Sequence, residues 1–275
     1  MVANLILLFL ISFLLFLSIL LFLMMPRFSK RSSLKPLVDF DYCHRGLHDD
    51  KIPENCLKSF IKASNSGYGM ELDVQLTRDN QLIVMHDFNL KRACGVEFDV
   101  DQYTLEECQQ FKLFATEERI PLFIDVLKAI DGKTPILVEI KQKGIDCTTC
   151  QKAAALLDKY RGTFFVESFN PVAVGWFKKH RPQYLRGQLS KNFNQNVEMS
   201  PFMRFVSKNL LINFLSRPDF IAYHVEHLNS FPIKVMKFFK VPLVVWTIQD
   251  IDTYHELKNN MNALIFENFI PSKEQ

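Results

Sequence analysis

Short β-rich runs that alternate with longer segments of helical pattern constrain this chain more than any other feature. The runs "VDFDYCH", "GMELDVQLT", "LIVMHD", "PILVEIK", "TFFVESF", "YLRGQLS", "DFIAYHVE", "VPLVVWTI" and "ALIFENF" read as strands. Between most of them lie stretches such as "NCLKSFIKASNSG", "TTCQKAAALLDKYRG" and "NPVAVGWFKKHRP", with apolar residues at helical spacing and a Gly or Pro at the end. Repeated β-α units imply a parallel sheet covered by helices. The nine runs exceed an eight-stranded barrel by one. Only "RDNQ" separates "GMELDVQLT" from "LIVMHD", which is too short for a parallel crossover, so these two pair as a hairpin and eight strands remain. The expected fold is α/β, a (β/α)8 TIM barrel, whose usual size of roughly 250 residues suits this length. A doubly wound open sheet is the alternative. The long interval from Phe88 to Thr134 reads as an insertion beside the barrel mouth, with "FDVDQYTLEECQQFK" helical from Thr104 onward.

Ahead of the barrel, Leu5 to Met25 is apolar apart from Ser12 and Ser18, long enough to cross a hydrocarbon core as a helix. A cleaved secretory signal is the competing reading. Against it, no Lys or Arg precedes the run, the run exceeds the usual apolar region of about 7–15 residues, and "LMMPRFSK" is no small-x-small cleavage site. Residues 1–25 are therefore expected to be a single transmembrane helix, 26–36 a basic linker between Pro26 and Pro36, and 37–275 the barrel domain. Arg27, Lys30, Arg31 and Lys35 follow the span while only the α-amino group precedes it, which places the domain on the cytoplasmic side. Those cations are also suited to anionic lipid headgroups, so membrane lipid is an expected partner.

The six cysteines do not require disulfides in a domain of this size and compartment. "CTTC" at Cys147 to Cys150 has the spacing of a redox or zinc pair, but no second pair lies nearby to complete a zinc site. A net charge of +3 without a long basic tract excludes nothing except an obvious nucleic-acid binder. No protein partner can be inferred.

Polar residues at the ends of barrel strands form the active site in this architecture. The first strand ends at His44 and Arg45, and the second carries Glu71 and Asp73 at i and i+2, on one face. "LIVMHD" delivers His86, and "PILVEIK" delivers Glu139 and Lys141, again at i and i+2. Three carboxylates are a hard oxygen donor set that suits Mg²⁺ or Ca²⁺ better than Zn²⁺. Two histidines can act as base and acid, and Arg45 and Lys141 can donate to phosphate oxygens. Each residue alone has a structural reading: a satisfied strand-end His, an ion pair, or, for Glu54, a carboxylate in a first helical turn.

The blocks "HRG", "PEN", "ELDVQLTRD", "VMHD", "VEIK", "ESFNP" and "VVWTI" occur here in the order found in glycerophosphodiester phosphodiesterases, and the chain from about Asp41 to Pro271 resembles that family. The resemblance implies a metal-dependent barrel enzyme of phospholipid and glycerol metabolism that hydrolyses a small-molecule glycerophosphodiester to glycerol 3-phosphate and an alcohol. It implies His44 and His86 as the acid/base pair, with their two roles left open. It further implies Glu71, Asp73 and Glu139 as ligands of Mg²⁺ or Ca²⁺, with Mn²⁺ as an alternative. Arg45, Lys141 and Trp246 would bind substrate or phosphate, and Glu54 would lie in or beside the site. The sequence departs from the family pattern at Cys56 of "PENC", at Gln249 after "WTI", and at Glu267 and Asn268 of "FENFIP". Two other functions remain open: a membrane-associated lysophospholipase D, for which Phe202, Phe205, Leu210, Leu211, Phe214 and Leu215 could dip into the lipid interface, and a non-catalytic binding protein on the same fold. His48 is expected to be an ordinary loop residue.

Overall fold

The strands β1 (Tyr42–Cys43), β2 (Gly69–Leu76), β3 (Leu82–Val84), β4 (Ile136–Ile140), β5 (Phe164–Ser168), β6 (Arg186–Ser190), β7 (Phe220–His224), β8 (Leu243–Ile248) and β9 (Ala263–Phe266) belong to one sheet in a computed structural model that describes residues 1–27, 34–193 and 199–271. All except β3 run parallel, and β1 closes the ring by pairing with both β2 and β9. β3 pairs antiparallel with β2, from Val74 opposite Val84 to Leu76 opposite Leu82. The architecture is the TIM barrel with the hairpin expected from the short "RDNQ" turn.

Helices follow in chain order: α1 (Val2–Met24), α2 (Lys35–Val38), α3 (Leu57–Asn65), α4 (Lys91–Cys94), α5 (Leu105–Cys108), α6 (Phe123–Ile130), α7 (Thr148–Leu157), α8 (Pro171–His180), α9 (Pro201–Lys208), α10 (Asn213–Ser216), α11 (Phe231–Phe238) and α12 (Ile251–Lys258). Local chemistry sets many of their starts. Cys56 accepts from Ser59 N–H at α3, Asn170 from Val172 N–H at α8 and Asp250 from Thr253 N–H at α12, each satisfying an orphan donor of the first turn. Thr104 and Glu107 form a reciprocal capping box, yet α5 is a single turn where the sequence suggested a longer helix. Its buried residue is Cys108 alone, so little apolar packing favours extension.

The two-residue period of the strands divides the core. Met70, Leu72, Val74, Val138 and Tyr223 face outward against Phe60, Val126, Ala153 and Leu157 of the helices. Leu137, Phe165, Leu189, Phe220, Val244 and Ile265 face inward and fill the barrel, and Leu34 and Leu37 close it beneath Tyr42. Gly187 makes this filling feasible, because a Cβ there would lie 2.2 Å from the Phe220 ring. Between β3 and β4 a smaller cluster of Ile83, Met85, Leu90, Val100, Cys108 and Leu113 holds the insertion together.

Part of the expected linker is structured. Arg27 N–H donates to Pro218 O at 2.8 Å, and α2 begins at Lys35, while residues 28–33, including Lys30 and Arg31, lie outside the described residues. The six cysteines form no disulfide. Cys150 is buried in the first turn of α7 with its thiol pKa raised by that burial, which suits a packed residue rather than a reactive one.

Candidate active site

Strand register assembles the acidic centre. Asp73 of β2 lies opposite Glu139 of β4, and Glu139 lies opposite Glu167 of β5. Together with Glu71, one inward position earlier on β2, this places several carboxyl groups inside a buried ring. Glu71, Asp73 and Glu139 each present an oxygen within 4.8 Å of the others, and all three are buried. Burial raises the pKa of Glu71 well above the usual range, reinforced by Asp73 and Glu139, and burial likewise raises Glu139. For Asp73 burial acts in the same direction, but His86, Lys141 and Arg45 outweigh it and hold the group below that range. Asn55 Nδ2 donates to Asp73 Oδ2 at 2.9 Å, while Asp73 Oδ1 is buried without a hydrogen-bond donor among the described residues.

Three oxygen donors crowded in this way, two of them with pKa raised by burial and the third with an unused oxygen, fit a small hard divalent cation. Lys141 is placed among these carboxylates, 3.0 Å from Glu139 and 3.6 Å from Asp73, and does not line the cavity. Its ammonium offsets charge at the acidic cluster.

The turn after β1 directs two further groups. Arg45 adopts φ 54°, and its N–H donates to Glu71 Oε2 at 2.9 Å. Gly46 follows at φ 81°, where a Cβ would lie 2.4 Å from Ser59 Oγ, so this position requires glycine for both conformation and space. The Arg45 guanidinium donates to Glu54 at 2.8 Å and lies 3.7 Å from Asp73. Glu54 is shared with Arg92, which donates to both of its oxygens, at 2.6 and 3.0 Å, and to Asp87 at 2.6 Å. Asp87 in turn lies 2.5 Å from His86 Nδ1. One polar chain therefore connects His86, Asp87, Arg92, Glu54 and Arg45 to the acidic cluster.

His44 is held from the neighbouring strand β9. Its Nδ1 lies 2.5 Å from Glu267 Oε2, just beyond β9. Gln249 Nε2 donates to Glu267 Oε1 at 2.8 Å, so two of the places where the sequence departs from the family pattern meet in one contact. His48, expected to be an ordinary loop residue, has its Nε2 3.7 Å from the same Glu267 oxygen. Burial would raise the Glu267 pKa, but the contacts with His44, the nearby His48 and Gln249 prevail and hold it well below the carboxylate range. Burial lowers the pKa of His44, and the bond to Glu267 only partly opposes it. The consistent state is a neutral imidazole that donates Nδ1–H to a carboxylate, leaving Nε2 as an acceptor.

His44, Arg45, Glu71, His86, Glu139, Glu167 and Trp246 line one cavity of about 220 Å³. Phe169, Leu189 and Ile265 supply apolar wall, and Lys191 a cation. Trp246 packs edge-on to Phe169, with ring centroids 5.5 Å apart. Burial raises the Glu167 pKa well above the usual range, with Glu139 and Asp73 adding to it. The sequence reading did not assign Asn55, Asp87, Arg92, Glu167 or Phe169. Glu167 alone carried a usable signal, since in "TFFVESF" it shares the inward parity of Phe165.

The model of the glycerophosphoryl diester phosphodiesterase family matches residues 44–270. A Bacillus subtilis protein whose name places it provisionally among glycerophosphodiester phosphodiesterases is 27% identical over 228 residues, covering 78% of this chain and 88% of that one. A lysophospholipase D of Rattus norvegicus is 33% identical over 131 residues, covering 43% of this chain and 40% of that protein. Among solved structures, a phosphodiesterase from Oleispira antarctica in complex with its product sn-glycerol-3-phosphate superposes with a TM-score of 0.70 at 20% identity, covering 84% of this chain and 94% of that one, and so shares the fold.

Proposed function

Because this chain belongs to the glycerophosphoryl diester phosphodiesterase family, we propose that its cavity hydrolyses water-soluble glycerophosphodiesters to glycerol 3-phosphate and a free alcohol. Family membership makes the chain an enzyme, and the non-catalytic alternative is set aside. The observation that carries the substrate reading is the pair His44 and His86, both lining one cavity with Nδ1 beside a carboxylate, which leaves Nε2 of each for proton transfer.

His44, kept neutral by burial, accepts a proton at Nε2 from the attacking hydroxyl, either a water or the glycerol 2-hydroxyl. Glu267 keeps the Nδ1–H tautomer and stabilises the imidazolium that forms. The new bond to phosphorus forms as the bond from phosphorus to the alcohol oxygen breaks, and His86 protonates that oxygen. Asp87 holds the His86 ring in place. If the 2-hydroxyl attacks first, water opens the cyclic phosphate with the two histidines exchanging roles; the net reaction consumes one water in either case. Arg45 donates to the phosphoryl oxygens, its fork oriented by Glu54. Glu71, Asp73 and Glu139 would hold a divalent cation, which would offset phosphoryl charge and acidify the attacking hydroxyl when bound. Trp246 and Phe169 form an apolar wall for the organic part of the substrate.

α1 is long and apolar enough to cross a bilayer, and we read it as a retained anchor. Residues 1–25 are then the span and the barrel follows on its more basic side, which by the positive-inside tendency is the cytoplasm. The second reading, a lysophospholipase D, is favoured by the exposure of Phe202 and Phe205 on α9 and by the rat relative. In that segment Leu210 is buried, and a turn over residues 209–212, which includes Leu211, separates two short helices where one amphipathic helix was considered. A panel of glycerophosphocholine, glycerophosphoethanolamine, glycerophosphoglycerol and lysophosphatidylcholine, each with Mg²⁺, Ca²⁺ or Mn²⁺, tests the assignment: glycerol 3-phosphate is expected from the soluble diesters, and its absence from all of them would refute it.

A further inference from the structure

We propose that the barrel rests on the bilayer through the rim at the N-terminal ends of β6, β7 and β8, so that the catalytic mouth opens into water on the far side and takes dissolved glycerophosphodiesters rather than lipids of the membrane that α1 spans. This rests on the readings of α1 as a span and of the cavity as a phosphodiesterase site.

The first observation is how α1 ends. The last carbonyls of a helix have no partner within it. Here Arg217 Nη1 donates to Phe22 O at 2.9 Å and Met25 O at 2.7 Å, and Asn213 Nδ2 donates to Met24 O at 2.8 Å. The Arg217 guanidinium also covers the Phe22 ring, 4.5 Å from its centroid. Immediately beyond the helix, Arg27 pairs with Asp219 at 2.7 Å and donates to Pro182 O at 3.1 Å. Residues 213–219 precede β7, and Pro182 precedes β6. The anchor is therefore fixed to the rim opposite His44 and Glu267, which follow the C-terminal ends of the parallel strands β1 and β9; His86, after the antiparallel β3, lines the same cavity as His44. Met24 is the buried residue of α1, so the helix leaves the barrel rather than running along it toward the mouth.

Unpaired charge around this attachment is mostly basic, since Asp219 is paired with Arg27 and Asp158 with Arg181. Residues 171–193, 199–218 and 228–243 contain no Asp or Glu. Lys178 and Lys179 at the end of α8, and Lys237 and Lys240 at the end of α11, are exposed on the same rim. Cations gather at helix C-termini for dipole reasons alone. That does not account for Phe238, which lies among them with 80% of its surface exposed. An exposed aromatic flanked by lysines, beside the exit of an apolar helix, is the composition of a lipid headgroup interface. From this rim to the strand C-termini the barrel rises on the order of 15 Å, beyond the reach of a headgroup in the same leaflet.

The test uses the full chain in vesicles of phosphatidylcholine and phosphatidylglycerol, with a fluorescent amino acid placed at position 238 or at Ile145, an exposed residue after β4. Headgroup-nitroxide lipids are expected to quench the probe at 238 and not at 145, and the quadruple change Lys178→Glu, Lys179→Glu, Lys237→Glu and Lys240→Glu should weaken that quenching without changing hydrolysis of dissolved glycerophosphocholine. Lysophosphatidylcholine held in the same vesicles should be cleaved at least tenfold more slowly than dissolved glycerophosphocholine. Quenching at 145 instead of 238, or equal cleavage of the embedded lipid, would overturn the proposal. Loss of hydrolysis on every substrate would overturn the phosphodiesterase reading, whereas the quenching contrast depends on orientation alone.

Discussion

His44 Nδ1 and Glu267 Oε2 lie 2.5 Å apart across the seam between β1 and β9. This contact fixes the imidazole tautomer, and its removal should be costly without unfolding the barrel. Glu267→Gln is expected to lower kcat by roughly 10²–10⁴-fold, the range over which orientation and tautomer control of a catalytic His operate. Circular dichroism should show a native fold, and steady-state kinetics would read the loss.

The same pair sets the acid side of the pH profile. Catalysis requires neutral His44, and burial lowers its folded pKa, so kcat/KM should persist below pH 6.5 and fall as pH drops through the lowered value. Because the unfolded His titrates near 6.5, the stability this group contributes is complete above that pH. It is lost as pH falls from there through the folded pKa. The Glu267 bond raises the His44 pKa, so the residual activity of Glu267→Gln should show its acid limb at still lower pH. A limb that moved upward would contradict the contact.

The acidic cluster predicts proton-coupled metal binding. Burial and the neighbouring carboxylates raise the Glu71 pKa, so binding of Mg²⁺ or Ca²⁺ should release a proton and tighten as pH rises. Calorimetry in buffers of different ionisation enthalpy measures this directly. Chelation, or Glu139→Gln, should cut hydrolysis by about 10²-fold or more.

Asp219 supports the fold rather than the chemistry. It accepts from Arg186 N–H at 3.2 Å, pairs with Arg27, and lies 3.7 Å from the guanidinium of Arg186, which is 1% exposed. Asp219→Ala leaves that buried cation uncompensated, a change that costs about 3–5 kcal/mol. Thermal unfolding should shift down by roughly 6–20 °C.

The fold was readable because parallel crossovers have a minimum length: the four residues between Thr77 and Leu82 admitted only a hairpin, and the remaining alternation closed a barrel. The metal-binding candidates were readable because i, i+2 spacing fixes parity, as with Glu71 and Asp73 or Glu139 and Lys141. What remained hidden were contacts across sequence. Arg92 reaches Glu54 over 38 positions and Glu267 reaches His44 over 223, and no local pattern marks either. His48 was discounted for the same reason, since only the closed ring brings it toward Glu267. The pairing of Lys141 with Glu139 and Asp73 was not readable either, because parity assigns a face of a strand but not which neighbouring group an ammonium meets.

The central claim is that His44 and His86 transfer the protons of phosphodiester hydrolysis in the cavity beside the acidic cluster. Release of glycerol 3-phosphate from glycerophosphocholine by the full-length chain, compared with His44→Ala and His86→Ala, tests it most directly. Each variant should remain folded and lose at least about 10²-fold in kcat. A folded variant that hydrolyses at close to the unmodified rate would contradict the account.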